Sequence, residues 1–268
     1  MESVAPPEDA LRAEVAAAHW YHSIELPGQI TTPGEYDLSH ALARVPLPHS
    51  LEGMRCLDVG TRDGFWAFEM ERRGAGEVIA IDLDDPTRYD WPGDAPKLDA
   101  AGHDRHAASQ AAFGIAHRAL RSRVQRRDFS VYDLEPQSIG RFDFAFIGTL
   151  LLHLRDPVGA LAAIRRVLDG QLLSNDVCSP AMTVLHPRRP AAELLMREIP
   201  FWSIPNVAGR LRIVEAAGFE ILRSGRPYLM GYGAGWRRER PRLRLNELVL
   251  RLGAPHTWIL AQPRQHSP

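Results

Sequence analysis

Apolar and polar positions alternate along most of this chain between strand-like and helix-like spacing. Residues 54–60, MRCLDVG, are a short apolar run closed by glycine, the pattern of a buried strand. Residues 64–74, GFWAFEMERRG, shift to helical spacing and stop at Gly74. The alternation continues with a second strand at 77–83 (EVIAIDL) and a long alanine-rich helix at 104–122. The charged run 123–129, RVQRRDF, predicts a weaker third strand near a sheet edge. A fourth strand at 142–150 (FDFAFIGTL), a helix at 156–168 and a fifth strand at 170–177 (GQLLSNDV) follow. A last helix from Asn206, a glycine stop at Gly218, a strand, and a closing strand at 256–263 (HTWILAQP) complete the pattern. Seven strands interleaved with helices predict an α/β fold, doubly wound around a mostly parallel seven-stranded sheet.

Two stretches fall outside that rhythm. The first fifty residues predict a helix near 7–22, with acidic residues early, and then a loop through LPGQITTPGEYDL. Residues 179–205 are proline-rich and carry His186 and Trp202, in the manner of a cap over a pocket or of a surface excursion. The chain thus divides into a helical extension or lid (1–50), a cofactor-binding core (51–178), a cap insertion (179–205) and the remainder of the core sheet (206–268).

Composition narrows the function without naming it. The chain has 268 residues, 45% of them hydrophobic, enough for one α/β domain with a substantial core. The formal net charge is −1, so no overall basic field points to nucleic acid. The densest basic run is GWRRERPRLRLNELVLR, beginning at Gly235, and a solvated face explains it as well. Cys56 and Cys178 lie in apolar runs and read as buried, reduced thiols. No apolar run approaches the roughly 18 residues of a membrane helix, and the N-terminus has no signal-peptide pattern, so a cytoplasmic protein is expected. The His and Cys spacings of a zinc site are absent, and no metal is expected.

The first strand carries the chemistry. A strand that runs into glycines and then a helix makes a cradle for a cofactor, because glycine admits the ligand and helix N–H groups face it. The run Gly60-Thr61-Arg62-Asp63-Gly64 does not match the dinucleotide fingerprint, and no Gly-Lys-Ser/Thr marks a P-loop. Asp58 stands two residues before Gly60, where a carboxylate repels a pyrophosphate but suits an ammonium or sulfonium. Asp82 closes the second strand, where a carboxylate reaches ribose hydroxyls. A carboxylate for an amino group, a glycine turn and a carboxylate for a ribose together describe S-adenosylmethionine.

Three stretches, CLDVGTRDGFWAFEMERRGAGEVIAIDLDD, GTLLLHLRDPVGAL and FWSIPNVAGRLRIVEAAGFEI, resemble class I S-adenosylmethionine-dependent methyltransferases. Within them, the chain resembles the group around the tRNA wobble-uridine (5-oxyacetic acid) methyltransferase. The N-terminal HWYHSIELPG is similar to related bacterial methyltransferases. The resemblance implies a Rossmann-like methyltransferase fold. It implies that Asp58, Gly60, Thr61 and Gly64 hold the methionine end, that Asp82 holds the ribose, and that Leu83, Ser130 and Val131 line the adenine. Gly148 and Thr149 are placed near the transferring methyl. Relatives commonly have glycine at the position of Arg62, so the arginine is expected to direct its side chain to solvent. The wobble-uridine relatives use a carboxylated cofactor and have a tyrosine in an LYH pattern where this chain has Leu152, which favours ordinary methyl transfer.

The acceptor is less defined. His153, after the fourth strand, and His22 are the candidate bases, although His153 serves equally as a structural residue. Trp20, Tyr21 and His22 read as a lid or as one buried helix face. Trp66 packs on core or on ligand. His186 and Trp202 are candidate pocket residues of the insertion, and GYGAGW, ending at Trp236, is a pocket rim or a surface turn. The leading expectation is methyl transfer to an oxygen or nitrogen of a small specialised metabolite, with neither nucleic acid nor membrane as partner. A tRNA uridine methyltransferase and a catalytically silent cofactor-binding subunit are the alternatives, and the oligomeric state is left open.

Overall fold

The computed structural model describes residues 8–93, 98–195, 201–236 and 252–265. The extension holds α1 (Glu8–Ala17), the small hairpin β1 (Glu25–Leu26) and β2 (Ile30–Thr31), β3 (Tyr36–Asp37) and α2 (Ser39–Leu42). The core follows as β4 (Arg55–Val59), α3 (Phe65–Arg72), β5 (Glu77–Asp82), α4 (Ala100–Leu120), β6 (Gln125–Asp128), α5 (Pro136–Ile139), β7 (Phe142–Gly148), α6 (Pro157–Val167) and β8 (Leu168–Val177). The insertion forms α7 (Pro180–Leu185), β9 (Ala192–Leu194) and β10 (Ser203–Pro205). The chain then builds α8 (Val207–Ala216), β11 (Phe219–Ser224), β12 (Tyr228–Tyr232) and β13 (Ala254–Pro263).

The central sheet has nine strands, in the order β3-β12-β13-β8-β7-β4-β5-β6, with β11 also paired to β13. Strands β8, β7, β4, β5 and β6 run parallel, and β13 enters antiparallel beside β8. The seven expected strands are all present, and the charged β6 is at the edge. The two additional strands, β12 and β3, extend the far side through Gly231 opposite Asp37 and Tyr232 opposite Tyr36. The expected loop at 26–38 therefore contains three two-residue strands, and the expected helix at 7–22 ends at Ala17.

Parallel strands covered on both faces need apolar residues on both. One face of the sheet presents Cys56, Ala80, Phe144, Phe146 and Leu173 to a core shared with α1, α3 and α4. The other presents Leu57, Ile79, Ile81, Ala145 and Ile147 to a core built from α5, α6 and α8. Cys56 and Cys178 are buried free thiols. No helix among the described residues is long and apolar enough to cross a membrane.

The order of strands sets the place of the site. Strand β4 is the first of the parallel set and lies between β5 and β7, so the chain winds outward in both directions from it. The crossover helices on either side leave a crevice at the carboxyl ends of β4, β5 and β7, where ligands bind in such sheets.

Candidate functional site

That crevice is a cavity of about 480 Å³. Asp58, near the end of β4, is one of its walls and is 1% exposed. Its Oδ2 has no hydrogen-bond partner. Burial pushes the carboxyl up to about 7, with the neighbouring Thr61 hydroxyl and His22 imidazole opposing. A buried carboxylate oxygen without a partner is a group waiting for a donor.

The turn after β4 is tight. Gly60 has φ +78°, and a Cβ there would stand 3.0 Å from Leu150 Cδ2. Gly64, at the start of α3, has φ +93°, and a Cβ would meet the Phe68 ring at 2.5 Å. Arg62 between them also has a positive φ, +51°, the conformation that glycine adopts without strain. Its N–H donates to Asp82 Oδ2 at 2.8 Å, and the Leu83 N–H donates to Asp82 Oδ1 at 2.8 Å. Asp82 thereby ties the β4 turn to the end of β5. Each of its oxygens keeps a lone pair, and the residue lines the cavity. The Arg62 side chain turns inward rather than to solvent. It lines the cavity with its guanidinium carbon 5.1 Å from the centre of the Tyr21 ring.

The N-terminal segment is pinned over this turn by Asp63. The backbone N–H groups of Tyr21 and His22 donate to Asp63 Oδ2 at 2.9 and 2.7 Å. His22 Nδ1 lies 2.5 Å from Asp63 Oδ1, and Asp63 is fully buried. An ionised carboxylate only accepts, so this contact makes Nδ1 the protonated nitrogen and leaves Nε2 of a neutral ring as an acceptor. His22 lines the cavity. Further bonds hold the segment down, from Tyr36 N to Tyr21 O at 2.9 Å and from Thr32 Oγ1 to His22 O at 2.8 Å.

Across the crevice, Gly148 ends β7 and Thr149 follows it. Thr149 has φ +51°, and its Oγ1 is 3.0 Å from His256 Nε2. His256 is fully buried on β13, and burial holds it neutral by lowering its pKa to about 4. Its Nδ1 faces the Ala254 carbonyl at 2.9 Å, so Nδ1 carries the proton and Nε2 accepts the Thr149 hydroxyl. Asn175, also in the cavity wall, accepts the Tyr228 hydroxyl at Oδ1 at 2.9 Å.

The remaining walls are aromatic. Trp66 stacks on Phe146 with ring centres 4.2 Å apart. Tyr36 meets Trp236, and Trp236 stacks on Tyr232 at 4.0 Å. Phe201, from the insertion, packs against His153 at 4.8 Å. Leu83, Phe129, Ser130 and Val131 line the end beyond β5 and β6.

The expected site residues divide accordingly. His22, His153, Asp58, Gly60, Asp82, Leu83, Ser130, Val131, Gly148, Thr149, Tyr21 and Trp66 meet in the cavity wall. Thr61 and Gly64 are buried inside the turn and shape it from behind. Trp20 is 1% exposed in the core, with its indole N–H on Val15 O at 2.9 Å, and so belongs to the interior. His186 is exposed beyond α7, away from the cavity, where its carbonyl accepts from Asn206 Nδ2. Trp202 is not among the cavity-lining residues and anchors the insertion through its indole N–H on Asp90 O at 2.6 Å. The GYGAGW turn is a rim through Trp236, and most of the basic run after it, 237–251, lies outside the described residues.

Asp63, Asn175, His256, Tyr36 and Phe201 complete the site and were not singled out from the sequence. The signal for Asp63 was faint: a carboxylate inside the glycine turn, next to the arginine that departs from the usual pattern.

A family model described as a methyltransferase domain matches residues 32–224. The chain belongs to this family. It is an S-adenosylmethionine-dependent methyltransferase. No curated protein matches the chain in sequence. Among solved structures, the methyltransferase is similar to the N-terminal domain of EvdMO1, determined in the presence of SAH and D-fucose. The identity is 14% over 98% of this chain and 100% of that one, with a TM-score of 0.52. It is also similar to the Burkholderia thailandensis 1,6-didemethyltoxoflavin-N1-methyltransferase with bound 1,6-didemethyltoxoflavin and S-adenosylhomocysteine. There the identity is 16% over 96% of this chain and 80% of that one, with a TM-score of 0.48. At 14% identity, the likeness to the EvdMO1 domain speaks for a shared fold alone.

Proposed function

We propose that this methyltransferase acts on an oxygen or nitrogen of a small-molecule acceptor. The observation that carries the reading is the character of the cavity beyond Gly148. It is walled by Tyr36, Trp66, Phe146, Phe201 and Trp236, brought together from the extension, the core, the insertion and the β12 rim. Such a wall suits a compact, largely apolar molecule, and among the described residues it offers no basic track for a polynucleotide. The EvdMO1 domain, of the same fold, was crystallised with a small sugar present, which is in keeping with this reading.

The residues present fit the donor. When bound, S-adenosylmethionine supplies a methyl group on a sulfonium, a leaving group that needs no further activation. The orphaned Asp58 Oδ2 would accept a hydrogen bond from the methionine ammonium. Gly60 would let the backbone approach, and the free lone pairs of Asp82 would accept from the ribose hydroxyls. Leu83, Ser130 and Val131, which line the cavity, would enclose the adenine. What remains for the enzyme is alignment and removal of a proton from the acceptor. His22 is placed for the second task, because Asp63 holds Nδ1 and leaves Nε2 free to accept. The Thr149 hydroxyl, committed as a donor to His256, can only accept from the acceptor group.

The test follows the label from methyl-labelled donor into a panel of hydroxy- and amino-substituted aromatic compounds and into bulk tRNA. Transfer to members of the small-molecule panel, lowered about 100-fold or more by His22→Asn, is the expected result. The alternative, a tRNA wobble-uridine methyltransferase, rests on the resemblance of three sequence stretches. Label in tRNA, and none in small molecules, would establish it instead.

A further inference from the structure

Arg62 occupies a position at which glycine would be easier. A non-glycine residue at its φ of +51° is strained, and strain of that kind clusters where the side chain has a use. The guanidinium is in the cavity, between the Tyr21 ring of the N-terminal segment and Tyr89 of the loop after β5. Among the described residues no carboxylate forms an ion pair with it, although Asp82 and Asp63 are near enough to favour its charge. The other cavity arginine, Arg88, is already paired with Asp128 at 2.8 Å.

The donor presents three charged groups, an ammonium, a sulfonium and a carboxylate. The described cavity wall carries the carboxylates of Asp58, Asp82, Asp90 and Glu35, of which Asp58 is the one read as the partner of the ammonium. The carboxylate is borne by the same carbon as the ammonium, so it must lie close to Asp58. Left unpaired there, it would be repelled by Asp58 and Asp82 together. Among the described residues that line the cavity, Arg62, four residues past Asp58 around the same turn, is the arginine without a carboxylate ion pair; its side chain hydrogen-bonds Tyr89.

We propose that Arg62 binds the amino-acid carboxylate of the methyl donor. This rests on the reading of the donor half given above and adds to it an explanation for the arginine in the glycine turn. The guanidinium reaches the carboxylate from the side of Tyr21, so the N-terminal segment forms the outer wall of the contact. Its planar fork suits a carboxylate in a way that a lysine does not.

The test compares two ligands by titration calorimetry, S-adenosylhomocysteine and its decarboxylated form, which keeps the adenosine, the sulfur and the ammonium. Arg62→Gly relieves backbone strain and therefore retains the fold. It should weaken S-adenosylhomocysteine about 10- to 100-fold, the range for losing one charged hydrogen-bonded pair, and leave the decarboxylated ligand unaffected. Arg62→Lys should recover part of the difference. Equal losses for both ligands would show that Arg62 only shapes the turn, and no loss for either would place it outside the contact. Either result overturns the proposal. Failure of the wild-type protein to bind either ligand would instead remove the donor reading, and the role of Arg62 with it.

Discussion

The role proposed for Asp58, to hold the ammonium of the donor, has a measurable form in its titration. Burial places its pKa at about 7 in the free protein. An ammonium beside it favours the carboxylate, so the bound state has the lower pKa. As pH falls through 7, binding must first release a proton, and affinity for S-adenosylhomocysteine should drop toward about tenfold per pH unit. Asp58→Asn should weaken binding above pH 7 and flatten that dependence. A wild-type affinity with no slope between about pH 5.5 and 7 would contradict the assignment. Asp58 and Asp82 were legible in the sequence because each closes an apolar run, where a parallel strand delivers its side chain to the crevice. Asp63 and His256 were not. Their roles depend on partners, His22 and Thr149, that lie far away along the chain and come near only through the sheet. The direction of the Arg62 side chain was likewise beyond the sequence, since a positive φ at a non-glycine residue reverses where its Cβ points.

At the scale of elements, the extension is part of the core as well as a cover. Trp20, Ile24, Leu26 and Ile30 are buried in the same cluster as α3 and α4, while the adjoining Tyr21 and His22 face the cavity. One short segment thus joins fold stability to the site. Trp20→Ala should lower stability by about 3–5 kcal/mol, the range for emptying a large buried side chain, measured as a shift in urea midpoint. A change within about 0.5 kcal/mol, ordinary for a surface position, would show that the segment lies on the core without packing into it. The long helices and the parallel strands were visible in the pattern because each spans enough residues to show a period. Strands β1, β2 and β3 have two residues each, too few for any periodicity, and are held by pairing with distant segments. The insertion was visible as a departure from the rhythm. Which of its residues faces inward was not, and Phe201 rather than His186 or Trp202 reaches the cavity.

On the scale of the whole molecule, the cavity gathers five parts of the chain. These are the extension at Tyr21 and His22, the β4 turn, the ends of β5 and β6, the end of β7, and the insertion with the β12 rim. If S-adenosylmethionine lies at the carboxyl ends of these strands beneath the extension, one ligand should quiet several segments at once. The most direct measurement is amide hydrogen exchange with and without S-adenosylhomocysteine. We expect joint protection of residues 58–64, 82–84, 129–131 and 148–150, together with 20–24 from the extension. Protection confined to other surfaces, or none in the 58–64 and 82–84 segments, would contradict the account.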